Sequence, residues 1–185
     1  KKRNYESREA KDIEYKSRPF TDRDLKYWKV LGLDKTDLDF FNVKSVKYLI
    51  NEKGEVRKRF RYDELGFVYD IWDKCKLYQP EAPRSFKFRN ICPGDDYKYY
   101  QGYQQLTGEP DTLIITKSMK DTMVFWKFYN KILGIPVDVI APHAESINLS
   151  TKFVAGVKKK YKRIICVSDF DLAGVDDAIS LMYGI

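Results

Sequence analysis

Two carboxylates two residues apart, Asp169 and Asp171, stand in the segment Arg163-Ile-Ile-Cys-Val-Ser-Asp-Phe-Asp-Leu-Ala-Gly174. In extended chain an i, i+2 spacing points both side chains the same way. Carboxylates that close repel unless a proton or a cation lies between them. Mg2+ or Mn2+, hard ions that take oxygen ligands, is the natural third party. Two plainer readings stand beside this one: Asp171 as a helix cap, and Asp169 as a loop carboxylate facing water. A calcium loop of the EF-hand type is excluded, because its fifth and twelfth positions fall on Ala173 and Ser180. A phosphatase-type Asp-x-Asp-x-Thr nucleophile fails as well, since position 173 is Ala.

The elements around the pair suit chemistry at a strand end. Ile164 to Val167 is a short apolar run of the kind that forms a strand buried on both faces. Val175, Ala178, Ile179 and Met182 recur at helical spacing after Gly174. In α/β sheets ligands bind outside the carboxyl ends of such strands. Upstream, Asp111–Thr116 reads as a buried strand, Ser118–Asn130 as an amphipathic helix, Val137–Ile140 as a strand and residues 147–161 as partly helical. This alternation predicts a parallel sheet from residue 111 onward. The earlier half has a different texture. Thr21 caps a helix that carries Leu25, Trp28 and Leu31 and stops at Gly32, and a short helix follows from Thr36 to Phe41. Strands are expected at Val43–Ile50, Val56–Tyr62, Leu65–Trp72 and Lys76–Pro80, with a hairpin turn at Asn51–Gly54. Residues 1–19 read as a flexible basic tail or linker.

The chain has 185 residues, 43% of them apolar and 15% aromatic, which supports a packed core and argues against disorder. No run of eighteen apolar residues and no signal-peptide pattern occurs, so a soluble, cytoplasmic protein with no membrane partner is expected. Cys75, Cys92 and Cys166 are odd in number and lack C-x-x-C spacing, so neither a zinc ribbon nor a disulfide framework follows. A start at Lys1 and a stop in a helix-like segment read as a piece of something longer. The net charge of +7 is uneven: residues 1–62 hold 18 Lys/Arg against 11 Asp/Glu, and residues 63–185 hold 16 against 16. A polyanionic partner explains that excess, and so does a solubilising surface. Arg57, Lys58, Arg59 and Arg61 flank Phe60, and Arg84, Lys87 and Arg89 alternate with Phe86 and Phe88. Basic residues interleaved with aromatics suit phosphate and base contacts, or an edge strand protected by charge.

Taken in order, these features resemble the TOPRIM-domain primases of bacteria and bacteriophages, including primase-helicases. The family has a first strand ending in Glu-Gly, an Asp three residues later on a helix, and a strand ending in Asp-x-Asp-x-x-Gly. The last stands here as Asp169-Phe-Asp171-Leu-Ala-Gly174, and the first as Leu113-Ile-Ile-Thr-Lys117-Ser118-Met-Lys-Asp121. Val139–Glu145 corresponds to the second strand and its loop, and Lys87-Phe-Arg89 to the family's Lys-Phe-Arg element. One departure matters: Lys117 replaces the catalytic Glu, and an ammonium neither acts as that general base nor assists a metal.

The resemblance implies an α/β fold, a TOPRIM-like parallel sheet with flanking helices over residues 111–185, C-terminally incomplete. A smaller mixed α+β subdomain over residues 20–110 precedes it. It implies Mg2+-dependent synthesis of short RNA primers on single-stranded DNA from ribonucleoside triphosphates, with a replicative helicase domain as partner. Asp169, Asp171, Asp121 and Lys117 are then the catalytic candidates, and Asp169, Asp171 and Glu145 the metal candidates. Arg57, Lys58, Arg59, Arg61, Arg84, Lys87, Arg89 and Lys120 are the nucleic-acid or nucleotide candidates. The alternatives are a catalytically degenerate nucleic-acid-binding or helicase-docking module and a TOPRIM nuclease.

Overall fold

In a computed structural model of the chain, residues 13–71, 74–91, 100–143 and 151–168 are described. They fall into two units, one drawn from Lys1–Lys29 with Asn42–Asp95, the other from Val30–Phe41 with Asp96–Ile185. The chain thus enters the second unit at Val30, leaves it after Phe41 and returns at Asp96.

The first unit is built on a six-stranded antiparallel sheet. Strand β1 (Ile13–Arg18) pairs with β2 (Val43–Asn51), followed across the sheet by β4 (Phe67–Ile71), β5 (Lys74–Tyr78) and β6 (Phe88–Asn90); β3 (Val56–Arg59) also pairs with β2. Helix α1 (Asp22–Val30) starts on a reciprocal cap: the Asp24 N–H donates to Thr21 Oγ1 and the Thr21 N–H to Asp24 Oδ2. The same Asp24 carboxylate, fully buried, accepts from Ser45 Oγ at 2.8 Å and so fastens α1 to β2. Trp28 of α1 meets Phe67 edge-on at 5.0 Å. A separate buried cluster holds Val46, Leu49, Phe60, Val68, Leu77 and Ile91.

One sequence expectation changes here. Within the tail expected over residues 1–19, residues 13–18 are strand. Ile13 and Tyr15 pack on that second cluster, the Tyr15 hydroxyl donates to Asp70, and Arg18 donates to Ser45 Oγ and to the carbonyls of Arg61 and Glu64. Burial and hydrogen bonding of this kind outweigh a charged composition. The basic and aromatic alternation of Arg84–Arg89 falls on a 3₁₀ turn at Arg84–Phe86, set up by Pro83, and on the short β6, which pairs with β5. Cys75, half-buried on β5, is disulfide-bonded, which the scattered cysteines do not lead one to expect.

The second unit has a four-stranded sheet in the order β10-β8-β9-β7. Strands β8 (Thr112–Ile115), β9 (Asp138–Pro142) and β10 (Arg163–Cys166) are mutually parallel where they pair, and β7 (Tyr100–Gln101) joins β9 antiparallel. The sheet is thus mixed, not wholly parallel. The expectation that β10 is buried on both faces is corrected: it is an edge strand among the described residues, and Ile165 is 42% exposed. Gly102, just after β7, has φ +83°, and a Cβ there would come within 2.8 Å of the Val139 carbonyl, so only glycine lets β7 lie this close to β9.

Among the described residues this unit also holds the α-helices α2 (Lys35–Phe40), α3 (Met119–Trp126), which widens into a π-helical stretch at Lys127–Leu133, and α4 (Thr151–Lys160). Asp34 and Asp37 form a capping box at the start of α2. Asp37, with no exposed surface, also accepts from Lys127 Nζ at 2.5 Å and Lys131 Nζ at 2.9 Å, while Trp126 stacks on Phe40 at 4.4 Å. Among the described residues no helix is long and apolar enough to cross a membrane.

Asp34 and Asp37 face the same Lys127 but differ in exposure, and this separates their energetics. Asp37→Asn leaves Lys127, 18% exposed, without its buried counter-charge and is expected to cost about 3 kcal/mol. Asp34 is 59% exposed, so Asp34→Asn should cost less than about 1 kcal/mol. The Lys127 ammonium holds the Asp34 carboxyl at about 2, below the ordinary carboxylate range. Its stabilisation is therefore present above the unfolded value near 4 and lost as pH falls toward 2. Urea unfolding of both variants at pH 7 and pH 3 checks this; equal losses at pH 7 would refute the ranking.

Candidate active site

Three parallel strands deliver their C-terminal ends to one edge of the second unit's sheet. The Thr116 N–H donates to the Ile140 carbonyl at 2.7 Å, and the Val167 N–H to the Ile115 carbonyl at 2.8 Å. These bonds carry the pairing past the ends of β8 and β10, so Thr116 and Lys117, Val167 and Ser168, and His143 all leave the sheet at this edge. Thr116 is buried and internally spent: its Oγ1 shares hydrogen bonds with Thr122 Oγ1 at 2.9 Å and the Ile140 carbonyl at 3.2 Å. That network ties β8 to the first turns of α3 and fixes how Lys117 emerges.

Lys117 is half-buried in the turn between β8 and α3. Ser118 caps α3: its Oγ accepts from the Asp121 N–H and donates to Asp121 Oδ2 at 2.6 Å. The exposed Asp121 is thus held against the helix start, one turn from Lys117, and Lys120 lies between them, half-buried. His143, the single histidine of the chain, is buried directly after β9. Its position after an apolar strand was visible in the sequence, but nothing there assigned it a task. Asp169, Asp171 and Glu145 lie outside the described residues. Among the described residues no three His, Cys, Asp or Glu side chains converge as a metal site.

The basic candidates all lie in the first unit apart from Lys120. Arg57 and Arg59 are exposed on β3, with the Arg59 guanidinium 5.7 Å from the Tyr48 ring. Arg61 is exposed beside Asp63, at 3.8 Å. Lys58 is partly committed: its ammonium is 2.8 Å from Glu64 and 4.3 Å from the Phe60 ring centre. Arg84 and Arg89 are exposed and Lys87 half-buried, next to Phe86 and Phe88, which are 57% and 39% exposed. Lys76 sits 5.0 Å from the Phe88 ring.

Gln79, which sequence reading passed over, draws the two basic segments together. Its Oε1 accepts from Lys58 Nζ at 2.6 Å, its Nε2 donates to the Phe86 carbonyl at 2.9 Å, and its backbone N–H donates to the Lys87 carbonyl at 2.8 Å. Cations and exposed aromatic rings side by side, on a sheet, form the pairing that holds single-stranded nucleic acid by phosphate attraction and base stacking.

No protein-family model matches the chain, and no curated protein matches it by sequence. Solved structures do match. The DnaG catalytic core aligns with a TM-score of 0.64 and 16% identity, over 90% of this chain and 61% of that one. The DnaG primase catalytic domain bound to ssDNA aligns with a TM-score of 0.60 and 18% identity, over 88% and 60%. The bacteriophage T7 primase domains, bound to an RNA/DNA hybrid and dTTP with the lagging-strand DNA polymerase, align at 0.59 and 13%, over 95% and 76%. The chain spans about three fifths of the two DnaG structures. Its fold is that of a DnaG-type primase catalytic core.

Proposed function

We propose that this chain is the catalytic core of a DNA primase of the bacterial and phage type, joining ribonucleotides on a single-stranded DNA template. The observation that carries the reading is the parallel edge: in a primase-core fold, Lys117 leaves β8 at the edge where Val167 and Ser168 leave β10, and Asp169 is the next residue in the sequence. Asp169 and Asp171, with Glu145 as a third oxygen donor, are the residues that would hold Mg2+, and carboxylates are the hard ligands that ion takes. When bound, the ion supplies neutralisation of triphosphate charge during in-line displacement. The chain's own residues do the positioning. Arg57, Arg59, Arg61, Arg84 and Arg89 attract the template phosphates, and Phe86 and Phe88 offer faces to its bases. Thr116 and Ser118 hold the Lys117 turn, and Asp121 stands beside it. Ribonucleoside triphosphates and a helicase domain are the partners this reading requires.

Lys117 also favours a second reading, a nucleic-acid-binding module that has lost catalysis, because the apparent family carries a Glu there. Primer synthesis separates the two. Asp169→Asn with Asp171→Asn is expected to abolish primer formation on single-stranded DNA with Mg2+ while leaving stability unchanged or higher, since mutual repulsion disappears. Full activity in that variant would remove the metal assignment. If strand cleavage were found instead of synthesis, the nuclease alternative would take its place.

Two further expectations concern single residues. An ammonium near the carboxylates competes with the cation, so Lys117→Glu should tighten Mg2+ binding in a calorimetric titration, whether or not synthesis rises. Unchanged affinity would mean that Lys117 does not face the metal. Gln79→Leu, similar in size, breaks the link between β3 and the 86–87 segment. It should weaken binding of a labelled single-stranded oligonucleotide several-fold, with unfolding stability reduced by roughly 1–3 kcal/mol. Wild-type affinity in a destabilised variant would show that the node serves the fold alone.

A further inference from the structure

The six residues Lys158-Lys-Lys-Tyr-Lys-Arg163 hold five of the sixteen cations found after residue 62. They form the corner where α4 ends and β10 begins, at the N-terminal edge of the parallel strands. The candidate active site is at the other edge, six residues along β8 from Asp111 to Lys117, or about 20 Å away at strand rise. One or two cations at a helix C-terminus answer its dipole. Here the excess is larger, and it is not neutralised. Lys162 pairs with Asp111 at 2.8 Å, but among the described residues Lys158, Lys159, Lys160 and Arg163 make no ion pair, and all four are exposed.

The corner is also held rigidly. Val157 and Tyr161 are buried in the cluster with Leu113, Ile115 and Ile140. The Tyr161 hydroxyl donates to the buried Asp138 at 2.7 Å, and burial together with that carboxylate pushes the phenol's pKa up. The N–H groups of Lys162 and Arg163 both donate to the Asp111 carbonyl, and Arg163 Nε donates to Thr112 Oγ1. The Lys160 side chain lies across Gly108, whose φ of +68° and missing Cβ leave it room. Beside the corner opens a cleft of about 800 Å³ lined by Arg163 together with Asp111, Glu109 and Asp138.

We infer that this basic corner is a second nucleic-acid contact, remote from the active-site edge, which grips the phosphates of a strand running along the second unit. No exposed side chain within residues 158–163 is apolar, whereas a protein partner would want an apolar or aromatic anchor at the centre of its interface. Phosphate contact needs only unpaired cations on a fixed frame. The inference rests on the proposed function only in taking nucleic acid as the polyanion, and its test does not require primer synthesis.

The variant with Lys158, Lys159, Lys160 and Arg163 all changed to Gln is compared with wild type by fluorescence anisotropy of a labelled twenty-nucleotide oligo-dT across a salt series. Loss of four phosphate contacts should lower the slope of log affinity against log salt by up to roughly 2.8, at about 0.7 per contact. If the fourfold variant fails to fold, Lys158→Gln with Lys159→Gln should lower it by about 1.4. An unchanged slope, or no oligonucleotide binding by wild type, overturns the inference. So does polyglutamate of matched charge competing as well as the oligonucleotide, which would mark a surface for acidic protein. A reduced slope in a chain that makes no primer keeps this contact and counts against the primase reading alone.

Discussion

Strand β8 is hydrogen-bonded along both edges, to β10 on one side and β9 on the other, and all four of its residues are buried. A slip of one residue on either side would turn Leu113 and Ile115 out of one cluster and Ile114 out of another. The register is therefore specified by packing, and the proposed chemistry would inherit that precision. Because the strands run parallel, fixing β8 fixes where β9 and β10 end relative to Lys117. The Thr116 hydroxyl, bonded to both β9 and α3, extends the constraint one residue past the strand and into the turn.

The first unit is held by a different device. Asp24 and Gln79 are buried polar side chains that each tie several segments: Asp24 joins Thr21, Ser45 and, at 3.8 Å, Arg18; Gln79 joins Lys58 with the 86–87 segment. Buried polar groups are costly unless satisfied, so such nodes discriminate sharply between one arrangement of loops and any other. Here they organise a surface on which the cations and aromatic rings carry the proposed affinity.

Much of the second unit was legible. Leu113–Ile115 is an unbroken apolar run, Val137–Ile140 is apolar but for Asp138, and Ser118 followed by Asp121 is a recognisable helix start. Thr21 was equally readable as a cap. Less legible were features that depend on what lies opposite. Ile13–Arg18 looks like a charged tail until β2 is seen to take Ile13 and Tyr15 on one face. Ile164–Val167 looks doubly buried because apolar content does not say whether a strand is central or at an edge. The alternation of basic and aromatic residues over Arg84–Arg89 gave no sign of the turn that follows Pro83. Gln79 and Thr116 gave no signal, since a Gln or Thr in a strand-like run is ordinary until its partners are known. The carboxylates that drew attention first, Asp169 and Asp171, lie outside the described residues, and their assignment still rests on spacing and resemblance.

The detour of Val30–Phe41 into the second unit has a consequence for how this protein can be inherited. Asp37 belongs to a segment encoded before the whole sheet of the first unit, yet its counter-ions, Lys127 and Lys131, are encoded after it. A recombination crossover anywhere between codons 42 and 95 would transmit the lysines without their aspartate. If the other parent brought no acid at position 37, the product would begin with Lys127 deprived of its buried counter-charge. The two units are therefore genetically linked more tightly than two successive modules, and selection is expected to have passed them on together.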